Sequence, residues 1–351
     1  MKIFLKAYIK KNLGDDIFIK IISERYPDFK FYLPDTAKYL KMDNLVFYSQ
    51  KNNKLLKILS FGRLSKDIIN MKKCDFSVII GGSMFIEKND NIIKKIISSI
   101  NYIPPFDYII GINFGPYQSN QYYRRYLNNF KKSKYICFRE KKSYDLFSTL
   151  NNTSFAPDII FNLDLTKYIN KSNKSIVISV IDCNTRFNND ISENYYAQIL
   201  KIIHYYHQLN YNIYLMSFCK SEGDERAIDI LKPNIPSTNV SFFNYDGNID
   251  EALDIISKCK IIVGSRFHAN ILGLLFNKVI IPFAYNDKII NVLSDLNYKG
   301  KIYDIRKKDI VNEKDLKKIN NSNLDIDKIV KLSSKHFKGI DEYIKGELKD
   351  V

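Results

Sequence analysis

Ile261-Ile-Val-Gly-Ser-Arg-Phe-His-Ala-Asn-Ile-Leu-Gly-Leu-Leu275, followed by Val279-Ile-Ile281 and Pro282, carries the fold in miniature. A β-branched run too short for a helix stops at a glycine turn. An apolar helical stretch spans Ala269–Leu275, and a second β-branched run follows after a short connection. This is the strand–helix–strand pattern of a parallel sheet.

Outward from that unit, the same alternation recurs. Met1–Ile9, Phe29–Leu33, Ser77–Ile80, Tyr108–Gly111 and Tyr135–Phe138 read as strands of a first half. Helices are expected over Ile17–Tyr26, Asn91–Ile100 and Lys142–Leu150. Polar, Asn/Lys-rich sequence over Asp158–Asn173 marks a boundary. Beyond it Ser175–Ile181, Ile213–Met216, Ile261–Val263 and Val279–Ile281 read as strands, with helices over Glu193–Asn210, Asp224–Leu231, Asp250–Cys259, Ala269–Leu275 and Asp287–Leu296. The expectation is an α/β protein with mostly parallel sheets: a first domain over 1–168, a second over 169–310, and a helical tail over 311–351 that packs back on the body. In open α/β sheets ligands sit at the carboxyl ends of strands, so the strand-end residues matter most.

The 351 residues suffice for two such cores. A composition of 45% hydrophobic and 26% charged residues excludes wholesale disorder. No apolar run approaches the roughly 18 residues of a membrane span, and lysines interrupt the opening Met1–Lys10, so a soluble, cytoplasmic protein is expected. Five scattered cysteines with no C-x-x-C spacing exclude a disulfide framework and a cysteine zinc site. The net charge of +16 is unevenly placed: residues 1–160 hold 27 Lys+Arg against 14 Asp+Glu, the remainder 27 against 24. A basic first half suits an anionic partner, or simply solubility.

Five strand-end clusters stand out: Asn12-Leu-Gly14-Asp15, Gly81-Gly82-Ser83, Gly111-Ile-Asn-Phe-Gly115-Pro116, Arg139-Glu140 and Gly264-Ser265-Arg266-Phe267-His268. Glycine in such turns lets backbone N–H groups approach an anion, or merely makes a tight turn. Neither nucleotide fingerprint, G-x-G-x-x-G or G-x-x-x-x-G-K-[ST], is present. Arg266 and His268 lie two apart at a strand end, where both side chains can point to one side. A guanidinium there suits a phosphate or carboxylate, and an imidazole suits a general acid near neutral pH. The bland alternative is a satisfied histidine at a helix start. His204 and His207 share a helix and read as its amphipathic face, and His336 in the lysine-rich tail reads as solvated.

Taken in order, these clusters resemble the polysaccharide pyruvyl transferase family. The matching pieces are Asn12-x-Gly-Asp15, Val78-Ile-Ile-Gly-Gly82, Gly111-x-x-x-Gly115-Pro116, Phe138-Arg-Glu140 with Ser143, Asp158 after Pro157, Ser265-Arg-Phe-His268 with Ala269, and Tyr285-x-x-Lys288. The resemblance implies two Rossmann-like domains facing across a cleft in a GT-B-type arrangement. It also implies transfer of a pyruvyl group from phosphoenolpyruvate to a sugar of a polysaccharide or its precursor, usually as a cyclic ketal. By position, Arg139 and Arg266 would clamp phosphoenolpyruvate, with Ser265, Phe267 and Lys288 alongside, and His268 would be the acid. Gly14, Gly81, Gly82, Ser83 and Gly115 would form loop cradles, although the family often has a third glycine where Ser83 stands. Asp15 is the candidate base for the sugar hydroxyl, with a helix N-cap as its structural alternative. The scheme requires no metal and no cofactor beyond phosphoenolpyruvate as donor substrate. The basic first half would face the acceptor, a lipid-diphosphate-linked oligosaccharide at an anionic membrane surface, through peripheral contact. Two other readings compete: a nucleotide-sugar glycosyltransferase with Glu222 or Asp224 holding ribose, and a nucleic-acid or glycan binder. The second lacks any recognised nucleic-acid module.

Overall fold

The computed structural model describes residues 1–60, 64–87, 104–168, 172–320 and 322–347, so the helix expected over Asn91–Ile100 lies outside the described residues. The chain forms two compact units. One comprises 1–9, 18–159 and 331–351; the other comprises 10–17 and 160–330.

In the first unit seven parallel strands, β1 (Lys2–Lys6), β2 (Lys30–Pro34), β3 (Leu45–Tyr48), β4 (Phe76–Ile80), β5 (Tyr108–Ile112), β6 (Tyr135–Phe138) and β7 (Thr153–Phe155), lie in the order β3-β2-β1-β4-β5-β6-β7. β4 and β5 are buried at every residue, which is why they read as unbroken apolar runs. An aromatic-rich core including Phe4, Phe85, Phe114, Phe130, Phe138 and Phe147 packs this unit.

In the second unit β8 (Ser175–Ser179), β9 (Asn212–Ser217), β10 (Val240–Asn244), β11 (Ile261–Gly264), β12 (Val279–Ala284) and β13 (Tyr303–Asp304) lie in the order β10-β9-β8-β11-β12-β13, again all parallel. Both sheets reverse strand order once, between β1 and β4 and between β8 and β11. At such switch points the loops diverge and leave a crevice. The α/β class and mostly parallel sheets match the expectation from sequence. β3, β7, β10 and β13 are strands that the apolar pattern alone did not reveal.

The division of the chain differs from the expected 1–168, 169–310 and 311–351. Residues 10–17 join the second unit because Asn12 forms a bridge with Cys219 and the Leu13 N–H donates to the Phe218 carbonyl at 3.0 Å. The tail also divides: Val311 and Leu316 enter the second unit's core, whereas 331–351 belong to the first unit.

His336 is the reason for the latter, and it is buried where the sequence suggested a solvated residue. The Gly111 N–H donates to its Nδ1 at 3.3 Å, and its Nε2–H donates to the Pro157 carbonyl at 2.7 Å. Ser333 Oγ donates to the Asp158 carbonyl at 2.7 Å, and Asp341 accepts from Arg25 at 2.6 Å and from Tyr26 at 2.7 Å. Burial outweighs the Pro157 carbonyl and Asp158 and pushes His336 down to about 4 from its ordinary 6.5, so the ring is neutral in the folded state. Between those values the unfolded chain binds a proton that the folded chain refuses. Stability from this site is therefore full above pH 6.5 and lost as pH falls toward 4, about 2 kcal/mol of it by pH 5. Thermal unfolding of wild type and His336→Gln at pH 7 and pH 5 checks this: the wild type should lose markedly more stability on acidification than the variant.

Candidate functional site

In the second unit the site is built on the switch point between β8 and β11. Ser179, the last residue of β8, places its hydroxyl under the turn that follows β11. Its Oγ accepts from the Ser265 and Arg266 N–H groups at 3.1 and 3.2 Å. The Ser265 hydroxyl pairs with the Tyr195 hydroxyl at 2.9 Å, and Asn270 Nδ2 donates to the carbonyls of Gly264 at 2.8 Å and Arg266 at 3.2 Å. Four polar side chains thus fix a turn that β-branched sequence delivers to the carboxyl end of β11. Ser265 is fully buried beneath it, so it supports the turn from inside.

Arg266 stands at the N-cap of the helix Phe267–Leu275 and is only 5% exposed. Its Nε donates to both Asp224 oxygens at 3.0 Å, Nη2 also meets Asp224, and Nη1 meets Glu222. The Asp224 carboxylate also accepts from the N–H groups of Phe218 at 2.9 Å and Cys219 at 3.0 Å. Burial disfavours the Arg266 charge, but Asp224, then Glu222, outweigh it and raise the group above its ordinary value. Burial likewise opposes the Glu222 charge, and Arg266, with help from Arg186 and Asn12, outweighs it and holds the carboxyl below its ordinary range. Glu222 and Asp224, which sequence suggested as ribose holders, are thus the counter-ions of Arg266.

His268 follows in the first turn of the same helix, edge-on to Phe267 with ring centroids 5.0 Å apart. Lys288 Nζ lies 4.2 Å from the centre of the Phe267 ring. The imidazole rests against Gly14: a Cβ on residue 14 would fall 1.6 Å from His268 Nδ1. Asn12, not Asp15, caps the helix Leu13–Arg25, its Oδ1 accepting from the Gly14 N–H at 3.1 Å. Asp15 and Asp16 occupy that helix's first turn, where the helix dipole favours carboxylates, and Asp16 accepts from the Tyr245 hydroxyl at 2.7 Å.

Arg139 belongs to the first unit, at the end of β6, with its side chain wholly buried. Nη1 pairs with Asp158 at 2.9 Å and Nη2 with Asn113 Oδ1 at 2.9 Å, while Ser83 Oγ reaches the same Asn113 oxygen at 3.2 Å. A Cβ on Gly82 would fall 1.9 Å from Arg139 Nη2. The Gly115 N–H donates to the Phe85 carbonyl at 2.8 Å, and Gly81 takes a positive φ of 148°. Gly14 and Gly82, expected as anion cradles, therefore make room for His268 and Arg139 respectively. Sequence reading places Asn12 and Asn113 inside two strand-end clusters without giving either a role, and it misses Arg186, because an arginine in a polar loop carries no periodic signal.

His204 is exposed and His207 Nε2 pairs with Thr238 at 3.2 Å, both off the buried face of their helix. Among the described residues, no group of three or more His, Cys, Asp or Glu is arranged to hold a metal ion. No helix among the described residues is long and apolar enough to cross a membrane.

The sequence model of the polysaccharide pyruvyl transferase family matches residues 12–287. No curated protein matches the chain. Among solved structures, the Anabaena HepE protein in complex with UDP-glucose is similar over 100% of this chain and 99% of that one, at 11% identity and a TM-score of 0.54. Staphylococcus aureus MnaA with UDP is similar over 100% and 97%, at 10% identity and a TM-score of 0.57. The UDP-N-acetylglucosamine 2-epimerase of Rickettsia bellii is similar over 98% and 96%, at 10% identity and a TM-score of 0.54. At these identities the likeness establishes the GT-B-like α/β fold.

The close approach at Gly14 gives a test by stability alone. Gly14→Ala should cost about 1–3 kcal/mol through collision with the imidazole, although alanine is the better helix former. In a His268→Ala background, denaturant unfolding should show that cost largely gone.

Proposed function

Because this chain belongs to the polysaccharide pyruvyl transferase family, we propose that it moves the pyruvyl group of phosphoenolpyruvate onto sugar hydroxyls of a polysaccharide or its precursor, closing a cyclic ketal and releasing phosphate. The observation that carries this reading is the turn at the β8/β11 switch point. There a strand end delivers Arg266 and His268 together, and Gly14 seats the imidazole.

The chemistry needs an acid that reaches carbon. His268 gives a proton to the methylene carbon of phosphoenolpyruvate, and the C2 centre becomes oxocarbenium-like. A sugar hydroxyl adds to C2, losing its proton to a base, for which Asp15 is the assigned group. A second hydroxyl then forms its bond to C2 as the C2–O bond to phosphate breaks, and its proton leaves with phosphate. Protonated His268 is favoured by an anionic ligand beside it. Arg266 answers the ligand's negative charge, Phe267 packs edge-on to the imidazole with Lys288 over its own ring, and Ser265 holds the turn. Arg139, kept in one orientation by Asp158 and Asn113, stands as the first unit's candidate guanidinium for an anionic ligand. The lysine excess of residues 1–160 supports an acceptor carried on a lipid diphosphate at an anionic surface. The glycosyltransferase alternative needed Glu222 or Asp224 for ribose hydroxyls, and both carboxylates are engaged with Arg266.

The test is phosphate release from phosphoenolpyruvate in the presence of galactose-, mannose- and N-acetylhexosamine-terminated acceptors. Wild type should turn over with one of them, and His268→Ala should fall by about 10²–10⁴-fold while remaining folded. Arg266→Lys, which keeps a cation beside buried Asp224, should bind phosphoenolpyruvate more weakly. In thermal shift, phosphoenolpyruvate and not UDP-sugars should raise the melting temperature. Unchanged turnover in His268→Ala would remove the acid.

A further inference from the structure

Glu222 ends the short turn Lys220–Glu222 and differs from its neighbour Asp224 in one respect that matters. The Asp224 side chain is fully buried, whereas that of Glu222 is 28% exposed. Three donors from three separate segments converge on Glu222. Oε2 accepts from Arg266 Nη1 and from Arg186 Nη2 at 3.3 Å, and Oε1 accepts from Asn12 Nδ2 at 3.4 Å. Each donor is fixed from behind. Arg266 is held by Asp224, Arg186 lies 5.1 Å from the centre of the Tyr285 ring, and the Asn12 amide oxygen accepts from the N–H of Gly14, the residue whose Cα the His268 ring lies against. Two guanidinium groups and an amide, two residues along the turn from the imidazole, are the donor set of an oxyanion site. The chain fills it with a carboxylate of its own.

We propose that Glu222 is an internal stand-in for the substrate: Arg266, Arg186 and Asn12 take the carboxylate of the incoming ligand at the position Glu222 holds, and the ligand displaces Glu222 into solvent. This rests on phosphoenolpyruvate being the substrate and adds Asn12 and Arg186 to the residues that bind it. The exchange is physically cheap. Carboxylate replaces carboxylate, so buried Arg266 is paired before and after, and Asp224 with its two backbone donors stays in place. The departing group is the part-exposed one, so its carboxylate regains water as its ion pairs break. Without this exchange the cluster would offer a negatively charged ligand one guanidinium already flanked by two carboxylates.

The signs of the mutational effects distinguish this from a structural salt bridge. By calorimetry, Glu222→Gln should bind phosphoenolpyruvate about five-fold more tightly than wild type, because its competitor has lost its charge. Pyruvate, a bare carboxylate probe, should tighten in parallel, and inorganic phosphate should not. Arg186→Gln, at a part-exposed position that leaves Arg266 paired, should weaken both phosphoenolpyruvate and pyruvate about ten-fold. Equal or weaker binding to Glu222→Gln, tightening of phosphate instead of pyruvate, or an unaffected Arg186→Gln would each overturn the inference while leaving a wild type that binds phosphoenolpyruvate. If wild type and Glu222→Gln bind neither phosphoenolpyruvate nor pyruvate, the substrate assignment itself fails, and this inference with it.

Discussion

A guanidinium taken out of water must be met by charge and geometry together, and Arg266 is met by Asp224. That contact does more than neutralise. Asp224 also accepts the backbone N–H groups at the end of β9, and Arg266 offers its own N–H to Ser179 at the end of β8. One ion pair and one serine hydroxyl therefore lock the carboxyl ends of β8, β9 and β11 to one another. Truncating either charged partner would leave the other buried and uncompensated, at about 3–5 kcal/mol. The position of His268, two residues on, follows from this lock.

The glycines obey a single rule in both units. Gly14 and Gly82 are glycine because a long or planar side chain from another strand end lies across them, His268 in one case and Arg139 in the other. Sequence inspection assigns such glycines to anion cradles because both uses demand the same missing Cβ. Only the partner distinguishes them, and the partners lie far away along the chain. Asn12-x-Gly14 is then half of a motif whose other half is Arg266-x-His268, joined through the capping amide and the seat of the imidazole.

What was legible in the sequence was what depends on neighbours along the chain. β-branched runs such as Ser77–Ile80 and Ile261–Val263 declare central parallel strands because both faces are buried. The glycine turns after them place the candidate site at strand ends, and the ordered clusters identify the family. What was illegible depends on pairing over hundreds of residues. Nothing near Asn12 announces its bridge to Cys219, so the segment 10–17 reads as part of the first half although it groups with the second unit. Helical spacing in the tail gives its helices, but a neutral buried His336 requires the Gly111 N–H and the Pro157 carbonyl, which only the fold supplies. Asp15 stands just before the expected helix Ile17–Tyr26, which invites the cap role; the helix starts earlier, at Leu13, so Asn12 caps it by accepting the Gly14 N–H.

The claim on which the chemistry turns is that an imidazole places a proton on carbon. Carrying out the transfer in heavy water and weighing the ketal methyl group reads that event directly. Under the proposed mechanism each product methyl should carry one deuteron, since the two methylene hydrogens of phosphoenolpyruvate are retained and the third comes from an exchangeable acid, and His268→Ala should lose formation of that deuterated product. A product that keeps its vinyl group, or a methyl free of deuterium, would contradict proton delivery from His268 to the methylene carbon.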